Sequence, residues 1–522
     1  MAIGAGFDQH ADTVARHHNA GGLFWGSLMK HVSHIVIVGG GIAGLSAAFA
    51  LSEHARTTGE PLRCTLIERS PTWGGKIVTE RRDGLVIEGG PDSFLSAKPW
   101  AIELCQKLGL GEALVPTNEE HNRTFAYSRG RLREIPQGLI TFLPSRLSAL
   151  VSSRLLSWSG LIRMGMEWMV PPRRTMESEE SLGAFFRRRF GREAFERLFE
   201  PLVAGIYAGN ADELSLVSTF PRFFELERRY GSLMRSALAQ RRATKVSASA
   251  RSSLKAGTMF ISLHGGLGDL VAALVQRLRA NGVTLVLGRT VTSVIARSKE
   301  PETYRVCLDK EESLTAESVV MATPAYATAK MLQTSLPQAA TLLEQIPYAS
   351  TATISLAYRA KDVGPLVRGF GFVVPRVEQK PLIAATWSSL KWPDRSPPDT
   401  MLLRCYVGGA GREWVLDQED RDLIRYVREE LRVIAGIQAT PHVVQVYRWV
   451  RAMPQYTIGH RARLDAIRRA LSSTPGLFVA GAAYEGLGIP DCIRSGQEAA
   501  QAILDMHAHR TVIDRKIVCD AS

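Results

Sequence analysis

The chain has 522 residues, 45% hydrophobic and 22% charged, with 64 Lys and Arg against 51 Asp and Glu for a formal charge of +13. That length exceeds one ordinary domain of about 100–200 residues, and the composition is that of a globular protein rather than a disordered or fibrous one. The six cysteines form no C-x-x-C pair and the twelve histidines no H-E-x-x-H spacing, which sets aside zinc and thiol-redox chemistry and leaves the positive charge to explain.

Residues 1–33 lack a basic start followed by an apolar run, so they read as an N-terminal extension and not as a signal peptide. Next comes "VIVGGGIAGLSAAFAL", in a stretch without charge from Ile35 to Ser52. Hydropathy alone would mark a membrane span there, but Gly39, Gly41 and Gly44 fall at G-x-G-x-x-G spacing. "HIVIVGG" suits a buried parallel strand, "IAGLSAAFALSEHA" a helix, and "RCTLIER" a second strand ending in Glu68. A strand–glycine turn–helix–strand unit with a late acid binds a dinucleotide. The acid reaches a ribose hydroxyl and the helix N-terminus faces the pyrophosphate. No other stretch offers about 20 apolar residues, so no transmembrane helix is expected.

Two glycine turns follow, Gly74-Gly75-Lys76 and Glu88-Gly89-Gly90-Pro91. Each alone is a tight turn, but behind a dinucleotide fingerprint they suit a cofactor longer than a mononucleotide. Residues 143–175 read as helix, with Arg146, Arg154 and Arg163 among Leu, Met, Trp158 and Trp168. Such a segment either packs on its own domain or lies on a membrane surface. Helix continues to Gly205, and Arg241–Gly257 reads as an exposed loop. An α/β rhythm returns with "GGLGDLVAALVQRLRANG", "VTLVLGRTVTSVIAR" and "ESVVMATP", and strand-rich sequence runs from "TATISLAYR" through "MLLRCYVGGAG". The last block supplies Gly481, Gly486 and Gly488 before a helix starting near Asp491. Glycine turns at both ends of the chain favour FAD over NAD, because an isoalloxazine must be reached from far downstream.

The expected fold is α/β and α+β. A discontinuous Rossmann-like FAD-binding domain takes residues 34–95, 256–330 and 440–510. A mixed-sheet substrate domain takes 96–120 and 331–439, and a largely helical insertion takes 121–255.

Taken as a set, "VGGGIAGL", "GGKI", "EGGPDSF", "GIYAGNADELS", "MPQYTIGH" and "AGAAYEGLGIPDCIRSG" resemble the FAD-dependent porphyrinogen oxidases of haem synthesis, over residues 34–506. The resemblance implies FAD contacts at Gly39, Gly40, Gly41, Ile42, Ala43, Gly44, Glu68, Arg69, Gly75, Lys76, Gly90, Pro91, Asp92 and Ser93. It adds Val291 near the adenine, and Trp449, Gly481, Leu487, Gly488 and Ile489 near the flavin. Lys76 stands where many flavin relatives carry Arg, so a cation is kept and the bidentate fork is lost. For the substrate it implies Arg123 on a propionate, Gly205 with its backbone against the tetrapyrrole, and apolar contacts from Val367, Ile383 and Leu403. Without the resemblance, Arg123 is a solvated loop arginine and the last three are core residues.

The implied reaction is oxidation of a porphyrinogen to a porphyrin with oxygen as acceptor, releasing hydrogen peroxide. No side chain is assigned as catalytic and no metal is expected; the flavin N5 carries the chemistry. Coproporphyrinogen III, with four propionates, is favoured over protoporphyrinogen IX, with two, because of the basic charge and the run Arg123, Arg129, Arg131 and Arg133. The alternatives are another flavin enzyme, such as an amine oxidase or carotenoid desaturase, and a non-catalytic binder on the same fold. Expected partners are the porphyrinogen and oxygen, with no nucleic acid. A peripheral membrane contact and transient contact with neighbouring haem-pathway enzymes are further readings. The location expected is cytoplasmic, or peripheral on the inner face of the membrane, with the oligomeric state open.

Overall fold

The computed structural model describes residues 32–136, 147–173, 179–246, 259–297, 303–364 and 369–520. Val367, the extension before residue 32 and most of the Arg241–Gly257 segment lie outside the described residues. Twelve strands form the two main sheets: Ser33–Val38 (β1), Leu62–Glu68 (β2), Thr124–Ser128 (β3), Arg131–Glu134 (β4), Thr284–Leu287 (β5), Ser318–Met321 (β6), Tyr348–Arg359 (β7), Gly371–Val373 (β8), Leu382–Trp387 (β9), Thr400–Gly408 (β10), Val443–Pro454 (β11) and Leu477–Val479 (β12). The helices that position the site are Ile42–Thr58 (α1), Glu200–Tyr207 (α2), Asp420–Ala435 (α3) and Ile489–Asp520 (α4).

The first sheet is five-stranded and wholly parallel, in the order β5-β2-β1-β6-β12. Residues Ile35 to Val38 of β1 are buried in this sheet, which explains a strand without charge. Helix α1 packs on α4, whose Gly496 lies so close that a Cβ there would overlap the Ala43 carbonyl. The uncharged run is therefore core of a parallel sheet. No described helix is long and apolar enough to cross a membrane.

The second sheet has seven strands in the order β11-β7-β10-β9-β8-β3-β4. Only the β3–β8 pair is parallel. Helix α3 buries Leu423, Val427, Leu431 and Ile434, an apolar stripe at helical spacing, in a core shared with Leu403, Cys405 and Val407 of β10. The other face of β10 carries Leu402, packed with Leu85 and Ile87 of the dinucleotide side, and Arg404.

The expected domain limits shift at three places. β3 and β4 belong to the seven-stranded sheet and not to the helical insertion. β11 belongs there too, although 440–510 was assigned to the FAD-binding part. Residues 96–120 sit with the dinucleotide side: Trp100–Lys107 packs on α4, and Leu114–Pro116 pairs with Phe260–Leu263. The pairing of Thr124 with Gly371 joins segments far apart in the chain, where local pattern carries no signal. Arg241–Val246 completes the helix Leu233–Val246 where a loop was expected. The helical body around Phe185, Phe186, Phe190, Phe199 and Phe223 has Arg189 buried between Glu167 and Glu227.

Candidate functional site

The turn after β1 is built to leave a hollow. A Cβ on Gly44 would overlap the Gly39 carbonyl oxygen, and one on Gly40 would run into Trp73, so those glycines serve packing. A Cβ on Gly41, the residue that starts α1, would meet no protein atom within 4 Å. The space at Gly41 lies at a helix N-terminus, where free N–H groups and the helix dipole favour a pyrophosphate. Gly74 N–H donates to the Gly40 carbonyl at 2.9 Å, seating the Gly74-Gly75-Lys76 turn on the first turn. Glu68 at the end of β2 accepts from Gly40 N–H at 2.6 Å and from Ser70 N–H at 2.8 Å. Each carboxylate oxygen keeps a further lone pair for a ribose hydroxyl. Arg289 N–H donates to the Glu68 carbonyl at 3.2 Å, so the strand Val291–Arg297 starts beside this acid, while Arg69 is exposed. Ile42, Ala43 and Gly44 form the buried first turn of α1.

A second knot joins the two sheets. The Gly89 carbonyl accepts from Thr353 Oγ1 at 2.7 Å, Trp449 Nε1 at 2.9 Å and Arg404 Nη2 at 3.2 Å. These donors come from β7, β11 and β10. Arg404 also donates to the Gly90 carbonyl, and a Cβ on Gly90 would overlap the Lys76 carbonyl. Desolvation lowers the pKa of Lys76, held between these turns. Asp92 accepts from Lys391 Nζ at 2.9 Å, Trp392 Nε1 at 3.2 Å and Ser93 Oγ at 2.7 Å. Burial disfavours its charge, but Lys391 and Arg404 outweigh that and hold the carboxyl well below its usual range.

The third part is the turn from Gly481 to Ile489. Gly486 N–H donates to Tyr456 Oη at 2.8 Å, and that hydroxyl donates to the Ala482 carbonyl at 2.7 Å. His460 stacks on Tyr456 at 4.3 Å and bonds the Tyr484 carbonyl at 3.2 Å; burial pushes its pKa down to about 4 and keeps it neutral. Gln455 Nε2 donates to the Tyr207 carbonyl at 2.9 Å, Ser215 N–H to the Tyr456 carbonyl at 2.8 Å, and Ile458 N–H to the Glu213 carbonyl at 3.0 Å. The stretches "GIYAGNADELS" and "PQYTIGH" are thus two sides of one bonded assembly that fixes the Gly481–Gly488 turn. A Cβ on Gly481 would lie 3.7 Å from that of Ala43, so this turn and the first glycine turn share a site. Lys98 Nζ lies 2.6 Å from both Asp491 oxygens in the first turn of α4.

On the substrate side the residues divide. Gly205 of α2 is exposed, with no atom within 4 Å of an added Cβ, and Ile383 of β9 lines a recess together with Ala204 of that helix and Ala208 just beyond its end. Leu403 does not join them. It packs in the α3 core, because side chains alternate along a strand and Arg404 takes the opposite face. The face shared with Arg404 carries Tyr406, whose ring lies 4.9 Å from that guanidinium. By the same alternation Thr386 of β9 opposes the α3 face occupied by Ala385 and Trp387, and Val373 of β8 packs with the helical body alongside Leu487. Counting in twos from Arg404 was the signal that could have found Tyr406. Arg123 is exposed ahead of β3, with Glu134 3.8 Å away and its carbonyl held by Phe370 N–H at 2.7 Å. Arg129 is engaged by Glu193 at 2.6 Å. Val367 lies outside the described residues. Among the described residues no group of three or more His, Cys, Asp or Glu could hold a metal ion.

The profile of the family described as flavin containing amine oxidoreductase matches residues 42–504. The coproporphyrinogen III oxidase of Bacillus subtilis is 39% identical over 90% of this chain and 98% of its own length. The protoporphyrinogen oxidase of Homo sapiens is 31% identical over 90% of this chain and 98% of its own. A crystal structure from Exiguobacterium sp. 255-15, named for protoporphyrinogen oxidase, superposes with a TM-score of 0.77 at 32% identity, covering 90% and 98% of the two chains.

Proposed function

This chain belongs to the flavin containing amine oxidoreductases and is an FAD-dependent oxidoreductase, and from that premise we propose that it oxidises coproporphyrinogen III to coproporphyrin III. The observation that supports this best is the bonded assembly of "GIYAGNADELS" with "PQYTIGH", seen beside relatives named for the same substrate. FAD supplies the redox chemistry: three two-electron rounds remove six hydrogens, and three O2 leave as three H2O2. The residues around the Gly41 hollow, with Glu68, Gly75 and Lys76, hold the dinucleotide. Gly89–Ser93, Trp449, Gly481 and Leu487–Ile489 frame its flavin end. Arg123 pairs with a propionate, Gly205 lets the ring approach α2, and Ile383 with Tyr406 provides apolar surface. Neutral His460 donates a fixed hydrogen bond to the Tyr484 carbonyl and holds no charge near pH 7.

The test is a side-by-side assay of the purified holoprotein with coproporphyrinogen III and protoporphyrinogen IX, following porphyrin fluorescence and peroxide. Three peroxides per porphyrin, with the four-carboxylate substrate preferred, is the expected result. Bound FAD with no porphyrin from either substrate overturns it. A preference for protoporphyrinogen IX would instead match the human relative. In the same assay Arg123→Ala is expected to raise KM about tenfold with FAD content unchanged, the loss of one charge-assisted pair. Unaltered kinetics would remove Arg123 from the substrate site.

The enzyme is also proposed to be cytoplasmic and to touch anionic membrane surfaces peripherally. Trp158, Ile162, Trp168 and Met169 are 74, 66, 54 and 62% exposed, close in sequence to exposed Arg154. That pairing of apolar and basic side chains is the signature of an interfacial segment. Cosedimentation with phosphatidylglycerol vesicles should drop several-fold in Trp158→Ser/Ile162→Ser, while phosphatidylcholine vesicles retain little of either protein. Equal recovery of both proteins would show that this face does not bind lipid.

A further inference from the structure

Where α2 ends against the seven-stranded sheet, there is a small open recess. Glu200, Ala204, Arg376, Ile383, Gly409 and Arg412 are among the residues that line it. The free space in it is close to that of one water molecule, so only the tip of an arm, and no tetrapyrrole ring, could enter. Its charges do not cancel. Glu200 is taken by Arg376, whose backbone N–H lies 3.0 Å from one carboxylate oxygen and whose Nε lies 3.4 Å from the other. Arg376 Nη2 also donates to the Ala410 carbonyl at 2.9 Å. Arg412, half-buried in the same recess, makes no ion pair among the described residues. Two guanidiniums therefore face one carboxylate, leaving a surplus positive charge in a partly desolvated place. Burial and the neighbouring Arg376 both disfavour the charge on Arg412, and Glu200 only partly offsets them. An incoming carboxylate would restore the balance and accept a bidentate pair.

The recess is held rigidly and lies well away from Arg123. Gly408 and Gly409 adopt positive φ, and Ala410 N–H donates to the Ala208 carbonyl at 2.8 Å, pinning the Arg412 loop to the end of α2. Strand β9 runs from Ile383 at the recess to Trp387, whose N–H bonds the Phe370 carbonyl, and Phe370 N–H bonds the Arg123 carbonyl. Four residues of strand separate these points by about 13 Å. The two candidate substrates differ in the same sense. Both carry propionates on two neighbouring rings. On the opposite edge of the macrocycle, coproporphyrinogen III has two more propionates where protoporphyrinogen IX has uncharged vinyl groups.

We propose that Arg412, braced by the Arg376–Glu200 pair, is a second carboxylate anchor that reads the propionates found only on coproporphyrinogen III, with Arg123 taking a propionate common to both substrates. This rests on the porphyrinogen reading above.

The experiment compares wild-type, Arg412→Met and Arg412→Lys holoenzymes on both porphyrinogens, with FAD content recorded for each. Arg412→Met should lose about tenfold in kcat/KM for coproporphyrinogen III, through KM, the value of one such pair. Its kcat/KM for protoporphyrinogen IX should change less than twofold. Arg412→Lys, which keeps charge and most of the volume, should fall between. Tryptophan-fluorescence titration should show the same selective weakening for coproporphyrin III over protoporphyrin IX. Equal losses on the two substrates, or no loss on coproporphyrinogen III, overturn the anchor. Should Arg412→Met lose its flavin, the Arg412→Lys variant and the titration decide in its place. A wild type that oxidises neither substrate removes the porphyrinogen reading itself, and the anchor with it.

Discussion

Gly41→Val is expected to give a folded chain that retains no flavin. The two halves of that result have separate causes. A Cβ at Gly41 meets no protein atom within 4 Å, and its φ of −72° and ψ of 177° suit any residue, so the fold has room for valine. The room is the hollow at the start of α1 where a pyrophosphate would lie. Filling it displaces an anion held by several charge-assisted hydrogen bonds worth about 1.5–3 kcal/mol each. Losing two costs about 3–6 kcal/mol, or roughly a hundredfold to more than ten thousandfold in affinity. The check is the flavin absorbance of purified protein, with circular dichroism to show that the fold persists. Retained yellow colour would place the pyrophosphate elsewhere. Gly44→Val is the contrasting control: its Cβ would overlap the Gly39 carbonyl, and it should fail to fold.

Asp92→Asn is expected to destabilise the protein by about 3 kcal/mol near neutral pH, because it leaves Lys391 without its carboxylate in a buried place. The pH dependence identifies the cause. In the folded protein the Asp92 carboxyl is held well below its ordinary value of about 3.9. Its contribution is complete above that ordinary value and fades as pH falls toward the folded one. The thermal midpoints of wild type and Asp92→Asn should therefore be separated by a steady gap from pH 6 to 8 that begins to close below about pH 4. A gap that stays constant through pH 3.5 would mean that the ion pair is not what Asp92 contributes.

The dinucleotide half of the site could be read from residues 34–68 because strand, turn, helix and acid all fall within one short window. Each element there obeys a local rule: a β-branched buried run, glycines with distinct steric roles, and an acid at a strand end. Leu403 shows where such rules stop. Its apolar neighbours say that it is buried, and only the opposite placement of Arg404 says which face it serves. Arg404 itself gave no sequence signal, although it joins two glycine carbonyls to the seven-stranded sheet. Its importance comes from Gly89 and Gly90, more than 300 positions earlier. β3 and β4 fall in the span expected for the helical insertion for the same reason, since the strand that ties β3 to the sheet begins at Gly371 and β4 is joined through β3. The motifs around Tyr207 and Tyr456 were conspicuous as words. Their shared hydrogen bonds show that they form one support for the turn at Gly481–Gly488.

The five-stranded parallel sheet receives its edge strand, β12, only at Leu477–Val479, and α4, which covers α1, comes later still. On a ribosome, β1 and the uncharged first part of α1 emerge some 440 residues before that closure. At about 5–20 residues per second, the wait is on the order of 20–90 seconds. Throughout it, the face of α1 that α4 covers stays open, a place where chaperones can bind. The turn from Gly481 to Ile489 also comes late, so the full set of residues proposed to hold FAD exists only once that turn has been made.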